Sequence, residues 1–189
     1  SDVFEDMKPE PGNARYLFEL ARSCKLDMVF ERADGAVFDK SEELSPFMQN
    51  LRRIFLYKGL CSPSDIYETE FTFEKMCIWT RNDSRLEEFE AGAGKYLDLV
   101  GKKENMEEWV AKGVSVQRSV NKVLGYFKVK KENSYGIGDS INDFPMLECT
   151  GHIAAMGDGS DLLKKKADFV TDSLLNDGLE KAMKHFQLI

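Results

Sequence analysis

Nowhere in this sequence of 189 residues do two cysteines lie close together; Cys24, Cys61, Cys77 and Cys149 are all it has. Such spacing excludes a zinc knuckle or a paired-thiol redox motif. It leaves free, buried thiols in a reducing cytoplasm as the expectation. Histidine is scarce too: His152 and His185 lack metal-spaced partners, so packing or surface roles are expected. Basic residues are the minority, 26 against 33 acids, a net charge of −7 that disfavours nucleic acid and anionic membrane as partners. No apolar run approaches the ~20 residues of a membrane-spanning helix. The opening, SDVFEDMKPEPG, is acidic and lacks the basic and apolar regions of a signal peptide. Repeats and low-complexity tracts are absent. A soluble, cytoplasmic protein is expected.

What is present is an ordinary globular balance, 42% hydrophobic and 31% charged, in a chain long enough for one large domain or two small ones. Helical spacing over 12–25 puts Tyr16, Leu17, Leu20, Ala21 and Cys24 on one stripe. Strand-like runs at 27–33 and 36–39 flank Asp34-Gly35, a hairpin signal. A helix at 43–58 with Phe47, Leu51, Ile54 and Phe55 inward, a strand at 73–80, a helix at 83–96 and a strand at 106–111 follow. Trp79 and Trp109 lie in strand-like runs and read as core.

After Lys112-Gly113 the rhythm changes. A helix at 115–128, with Val116, Val120, Val123, Leu124 and Phe127 on one face, leads into strands at 134–138, 152–156 and 168–171. Helices near 143–149, 160–166 and 175–187 alternate with them. That alternation predicts an α/β fold whose parallel sheet is covered on both faces. The first part reads as a mixed α/β unit with hairpins, so a boundary is placed near 110–113, dividing 1–110 from 111–189.

Ligands of open parallel sheets bind at the carboxyl ends of the strands. In GIGDSINDFPML (136–147), Asp139 occupies such an end, with Ser140, Asn142 and Asp143 just behind. Carboxylate oxygens there suit Mg²⁺, which keeps waters and a substrate phosphate in its shell. The bland alternative is a capping box in which Ser140 caps and Asp143 reaches back. Pro145 speaks against it by falling past the first turn of such a helix. With Asn142 as cap, the helix begins at Asp143 and its N-terminal end becomes an anion site beside Asp139.

These residues carry a resemblance. The GD-x-x-ND-x-x-M pattern of 138–146, the strand end AMG at 155–157 and the tail AD-x-VT…DG at 167–178 are similar to the C-terminal half of haloacid dehalogenase superfamily hydrolases. More narrowly they resemble the Cof-type sugar-phosphate phosphatases. The likeness runs over about 106–189; residues 1–105 fit the family's cap by element order. It implies a partial Rossmann-like core with an α/β cap, and a Mg²⁺-dependent phosphatase in which an aspartate takes the phosphoryl group of a small phosphorylated metabolite. By position, Asp139 would ligate Mg²⁺ and Asp143 would support the metal shell. Asn142 and Ser140 would contact the phosphate or orient its loop.

Two departures qualify this. The family's nucleophile and acid/base lie in Asp-x-Asp-Gly-Thr on the first core strand, and no Asp-x-Asp occurs in these 189 residues. The family's phosphate-binding lysine sits in a pattern like KGVSK. Here KGVSVQRSV puts Val116 at its place, with Lys112 before and Arg118 after. A solvated surface role is the expectation for both cations, with Lys112 or Arg118 as the alternative phosphate ligand and Arg118 able to bind it bidentately. The expectation is therefore a fragment of a phosphatase, inactive alone, with 134–138 as an exposed edge open to dimerisation or swapping. A phosphomutase of the same superfamily, and a non-catalytic binding or regulatory module that Val116 favours, are the competing readings. Lys164–Lys166 reads as a solvated helix end, and GDGSD (157–161) as a second strand-end loop.

Overall fold

The structure, a computed structural model, describes residues 7–41 and 43–189, so the acidic opening residues 1–6 lie outside it. The chain divides into two compact units, Ser1–Val114 and Ser115–Ile189. Among the described residues no helix is long and apolar enough to cross a membrane.

The first unit runs α1 (Pro11–Ser23), β1 (Asp27–Arg32), β2 (Gly35–Phe38), α2 (Pro46–Tyr57), β3 (Lys75–Trp79), α3 (Leu86–Ala93), β4 (Leu97–Lys103) and β5 (Met106–Ala111). Its five-stranded antiparallel sheet has the order β2-β1-β3-β5-β4. The hairpin forms one residue earlier than Asp34-Gly35 predicts. Ala33 and Asp34 make the turn, and Gly35 opens β2 opposite Arg32. Gly35 has φ +131°, and a Cβ there would lie 2.6 Å from the Ser62 amide nitrogen, so both backbone and space demand glycine.

Strand alternation splits this unit's core. Met28, Phe30, Met76, Ile78 and Trp109 pack under α1 and α3, while Val29, Phe38 and Met48 join β1, β2 and α2 on the opposite face. Trp109 is core as expected, and Trp79 is partly buried against the second cluster. Most of the predicted inward residues are inward, with Leu17, Ala21 and Cys24 buried and Leu20, Leu51 and Phe55 packed against the cores, but three are not. In α1, Ala14, Leu17, Phe18 and Ala21 are buried and Tyr16 is exposed. In α2, Met48 is the buried residue, whereas Phe47 and Ile54 face outward.

β4 is a strand that the sequence did not announce. A register shift between Leu99 and Gly101 breaks its alternation, and Leu99 and Val100 are exposed at the sheet edge. Without a period of two, LDLVGKK carries no strand signal.

The second unit comprises α4 (Val116–Phe127), β6 (Tyr135–Gly138), α5 (Phe144–Leu147), β7 (His152–Ala155), α6 (Asp161–Lys164), β8 (Phe169–Val170) and α7 (Gly178–His185). Single 3-10 turns lie at Lys131–Asn133, Ile141–Asp143 and Leu174–Asn176. β6, β7 and β8 form the parallel sheet in that order, which leaves β6 at an edge. On one face, a Cβ on Gly136 would meet the Leu147 side chain at 2.6 Å, so glycine lets α5 lie close. On the other, Tyr135 stacks on His152 at 4.8 Å and meets Phe186 at 5.0 Å. His185 stacks on Phe169 at 3.7 Å. Both histidines thus serve packing, as expected.

Two further expectations need correction here. The predicted inward face of α4 is not inward: no residue of the helix is buried, and Val116, Val123 and Phe127 are exposed. The lysine run is not wholly solvated, because Lys166 Nζ sits 3.8 Å from the Phe144 ring centre.

Candidate functional site

β6 ends at Gly138, and Met156 continues its ladder with β7 by donating to the Gly138 carbonyl at 2.9 Å. Asp139 follows, and its own carbonyl accepts from the Ser160 amide at 2.7 Å, joining the two strand-end loops. Between them lies a cavity of about 370 Å³ lined by Ile137, Gly138, Asp139, Asp143, Met156, Asp158, Leu174 and Leu179.

The loop is closed by the capping box that Pro145 had argued against. Asp143 Oδ2 accepts from the Asp139 amide at 3.0 Å, the Ser140 amide at 3.0 Å and the Ser140 hydroxyl at 3.3 Å. Ser140, not Asn142, is the cap. The proline is accommodated because Ile141–Asp143 forms a 3-10 turn and the α-helix restarts at Phe144. Pro145 then occupies the first helical turn, where a missing N–H costs nothing. The resulting helix has only four residues, Phe144–Leu147, which is too short for a dipole-based anion site. Gly138 permits the closure, since a Cβ there would lie 2.8 Å from Asp143 Cβ.

The two acids therefore do different work. The Ser140 amide, with that of Asp139, holds the Asp143 carboxyl below the usual carboxylate range against the opposing effect of burial. One oxygen of Asp143 is spent on the loop. The exposed Asp139 side chain lies within reach of the Asp143 carboxyl, and its amide is fixed by Asp143. Asn142 is exposed beside it. The Ser140 hydroxyl is turned to Asp143. Arg118 is exposed on α4, its amide bonded to the Ser115 cap at 3.1 Å, and it does not line the cavity. Lys112 is paired with Asp98 at 3.1 Å in the first unit.

Asp158 belongs to the same cavity, and its carboxylate accepts weakly from the Leu174 amide at 3.4 Å. The GDGSD strand end pointed to this loop without singling out the residue. Hard oxygen donors on a strand end fit Mg²⁺, which is commonly held by one or two carboxylates plus waters and a substrate phosphate. The fit is partial. No group of three or more His, Cys, Asp or Glu side chains able to hold a metal occurs among the described residues.

A family model described as haloacid dehalogenase-like hydrolase matches residues 3–183. The chain belongs to that family. Its Cof-type strand-end motif accords with the relatives found. It is 33% identical over 94 residues to a Bacillus subtilis 5-amino-6-(5-phospho-D-ribitylamino)uracil phosphatase, covering 50% of this chain and 38% of that protein. It is 34% identical over 106 residues to the Bacillus subtilis phosphatase YwpJ, covering 52% and 36%. A solved phosphatase of the haloalkanoate superfamily from Bacteroides thetaiotaomicron matches with a TM-score of 0.71 and 26% identity, over 95% of this chain and 65% of that one. The matches thus span well under half the length of these two Bacillus subtilis relatives. The mixed fold, a parallel sheet in one unit and an antiparallel sheet in the other, is that of a haloacid dehalogenase core with its cap.

Proposed function

We propose that this chain forms part of a cytoplasmic, Mg²⁺-dependent phosphatase that hydrolyses small phosphate monoesters such as sugar phosphates, through an aspartyl-phosphate. The observation that carries the reading is Asp139. Its carboxylate stands at a parallel strand end, bordering the cavity beside the Asp143 carboxyl, while its backbone is held by Asp143. Two neighbouring carboxylates at a strand end, on a loop fixed by their own backbone bonds, suit a hard divalent cation.

In this reading Asp139 holds the cation directly, and Asp143 orients Asp139 while offering its remaining oxygen to the metal shell. Asn142 contacts the phosphate, and Ser140 keeps the loop closed through its hydroxyl. Arg118 is the cation offered in place of the lysine that the family's pattern puts at Val116. The metal, when bound, neutralises charge on the transferring phosphoryl group. The aspartate that accepts the phosphoryl group is not among these 189 residues, which contain no Asp-x-Asp. The reading therefore has this chain inactive alone. Phosphorylated ribityl or sugar compounds, of the kind named for one relative, are the substrate class to try first.

A magnesium-dependent assay on an aryl phosphate, run on this chain and on an N-terminally extended gene product, tests the proposal. Activity only in the extended form, lost in its Asp139→Asn variant, supports it. Turnover by the 189 residues alone refutes the inactive-fragment reading. Silence of both forms favours a binding module.

A further inference from the structure

The first unit contains a cavity of its own that the proposed chemistry does not use. It encloses about 320 Å³ against the outer edge of β2, within the size range of small-molecule sites. Its apolar wall is Val37, Phe38 and Leu56; Arg52, Ser62 and Ser64 lie on its polar side.

The edge of β2 is only half covered. Residues 60–62 return beside it, the Ala36 amide donating to the Leu60 carbonyl and the Ser62 amide to the Ala36 carbonyl, each at 2.9 Å. That short bridge carries Ser62, with Ser64 two residues beyond, to the cavity wall. Opposite stands Arg52 of α2. One guanidinium nitrogen is anchored on the Asp39 carbonyl at 3.0 Å, and among the described residues it has no carboxylate partner. The other cation at the rim, Lys40, is bonded to Asp65. The acid is therefore neutralised within the site, and Arg52 is left as its net positive charge. In a chain of net charge −7, a locally positive pocket with an uncommitted, pre-anchored guanidinium selects against cations. A guanidinium has the fork geometry for carboxylate or phosphate oxygens.

We propose that this cavity is a binding site for a small organic anion. The carboxylate or phosphate end sits on Arg52 and the Ser64 hydroxyl, the Ser62 hydroxyl being committed to the Ser64 amide at 3.1 Å and to Asp34, and an apolar body lies against Val37, Phe38 and Leu56. The site is built from first-unit residues alone and does not depend on the phosphatase reading. Phosphate and carboxylate share the recognising chemistry, so phenyl phosphate and benzoate serve as the two probes.

Cys61 lines the same cavity and is half-buried, whereas Cys24, Cys77 and Cys149 are buried. It is thus a built-in reporter whose reading does not involve catalysis. Iodoacetamide modification of the 189-residue protein, followed by peptide mass spectrometry, should label Cys61 first. Saturating phenyl phosphate or benzoate should slow that labelling, and calorimetric titration should give the affinity. Arg52→Gln should weaken binding about tenfold or more, the loss of a charge-assisted contact. A circular dichroism spectrum and thermal melt like those of the unsubstituted protein would show that the variant folds. If Arg52→Gln fails to fold, Ser64→Asp, which places a repelling carboxylate at the rim, supplies the same test. Protection by phenyl phosphate alone assigns the site to phosphate, and protection by benzoate alone to carboxylate. The proposal is overturned if neither probe slows Cys61 labelling, or if affinity survives the substitution. Binding abolished by Asp139→Asn instead would place the anion at the strand-end cavity and equally overturn it.

Discussion

Truncating Asp143 to alanine should loosen the Gly138–Phe144 loop without unfolding the chain. Its Oδ2 is the acceptor for the Asp139 and Ser140 amides, both at 3.0 Å, and for the Ser140 hydroxyl at 3.3 Å. Each is a bond to a carboxylate, but the side chain is only half-buried, so the sum falls in the range of helix-capping losses. We expect about 1.4 kcal/mol, a tenfold change in local opening. Native-state hydrogen exchange reads this directly. The Asp139 and Ser140 amides should exchange about ten times faster in Asp143→Ala, while amides of β1 and β3 are unchanged. Asp143→Asn, which retains one carbonyl acceptor, should lie between. The pH dependence has a definite sign. The carboxyl is held below its unfolded value of about 3.9, so its contribution is present in full above that pH and disappears as pH falls through the folded value. The difference between native protein and Asp143→Asn should therefore narrow in acid. Unchanged exchange of both amides in Asp143→Ala would refute the capping role.

Gly178→Ala would place a Cβ 2.1 Å from the Asp172 carbonyl oxygen, a backbone atom that cannot swing aside. It should cost about 3 kcal/mol in denaturant unfolding, and an unchanged midpoint would contradict the close approach. Met48→Ala removes the fully buried anchor of α2 and should cost about 2–5 kcal/mol, with α2 amides losing protection first. Burial, with Glu31 alongside, pushes the Cys77 thiol up to about 12, so it should resist iodoacetamide in mildly alkaline native protein and react only on unfolding.

The order of elements was legible because most of them obey simple periods. Met28 and Phe30 alternate with Val29, and the second half repeats strand and helix behind each short apolar run. β4 was not legible because its bulge destroys the period of two. The faces of the first two helices were legible apart from single members. Tyr16 and Phe47 are apolar enough for the core, yet their neighbours Ala14 and Met48 fill the space available. The site residues were visible from the strand-end context, but their division of labour was not. Pro145 looked incompatible with a Ser140 cap only on the assumption of one continuous α-helix, and the intervening 3-10 turn removes that conflict. Asp158 was hidden because a lone acid after a strand has no distinguishing spacing.

The contact between Gly138 and Asp143 restricts how this loop can change over time. Any side chain at 138 must push against the carbon that carries the capping carboxylate. The cost of altering either position thus depends on the residue at the other. A lineage, or an engineer, reaching for a new ligand geometry here cannot walk there by independent single steps, because losing the acid at 143 makes room at 138, while filling 138 first unseats the acid. Order of substitution, rather than the merit of each substitution alone, decides which descendants of this loop are attainable.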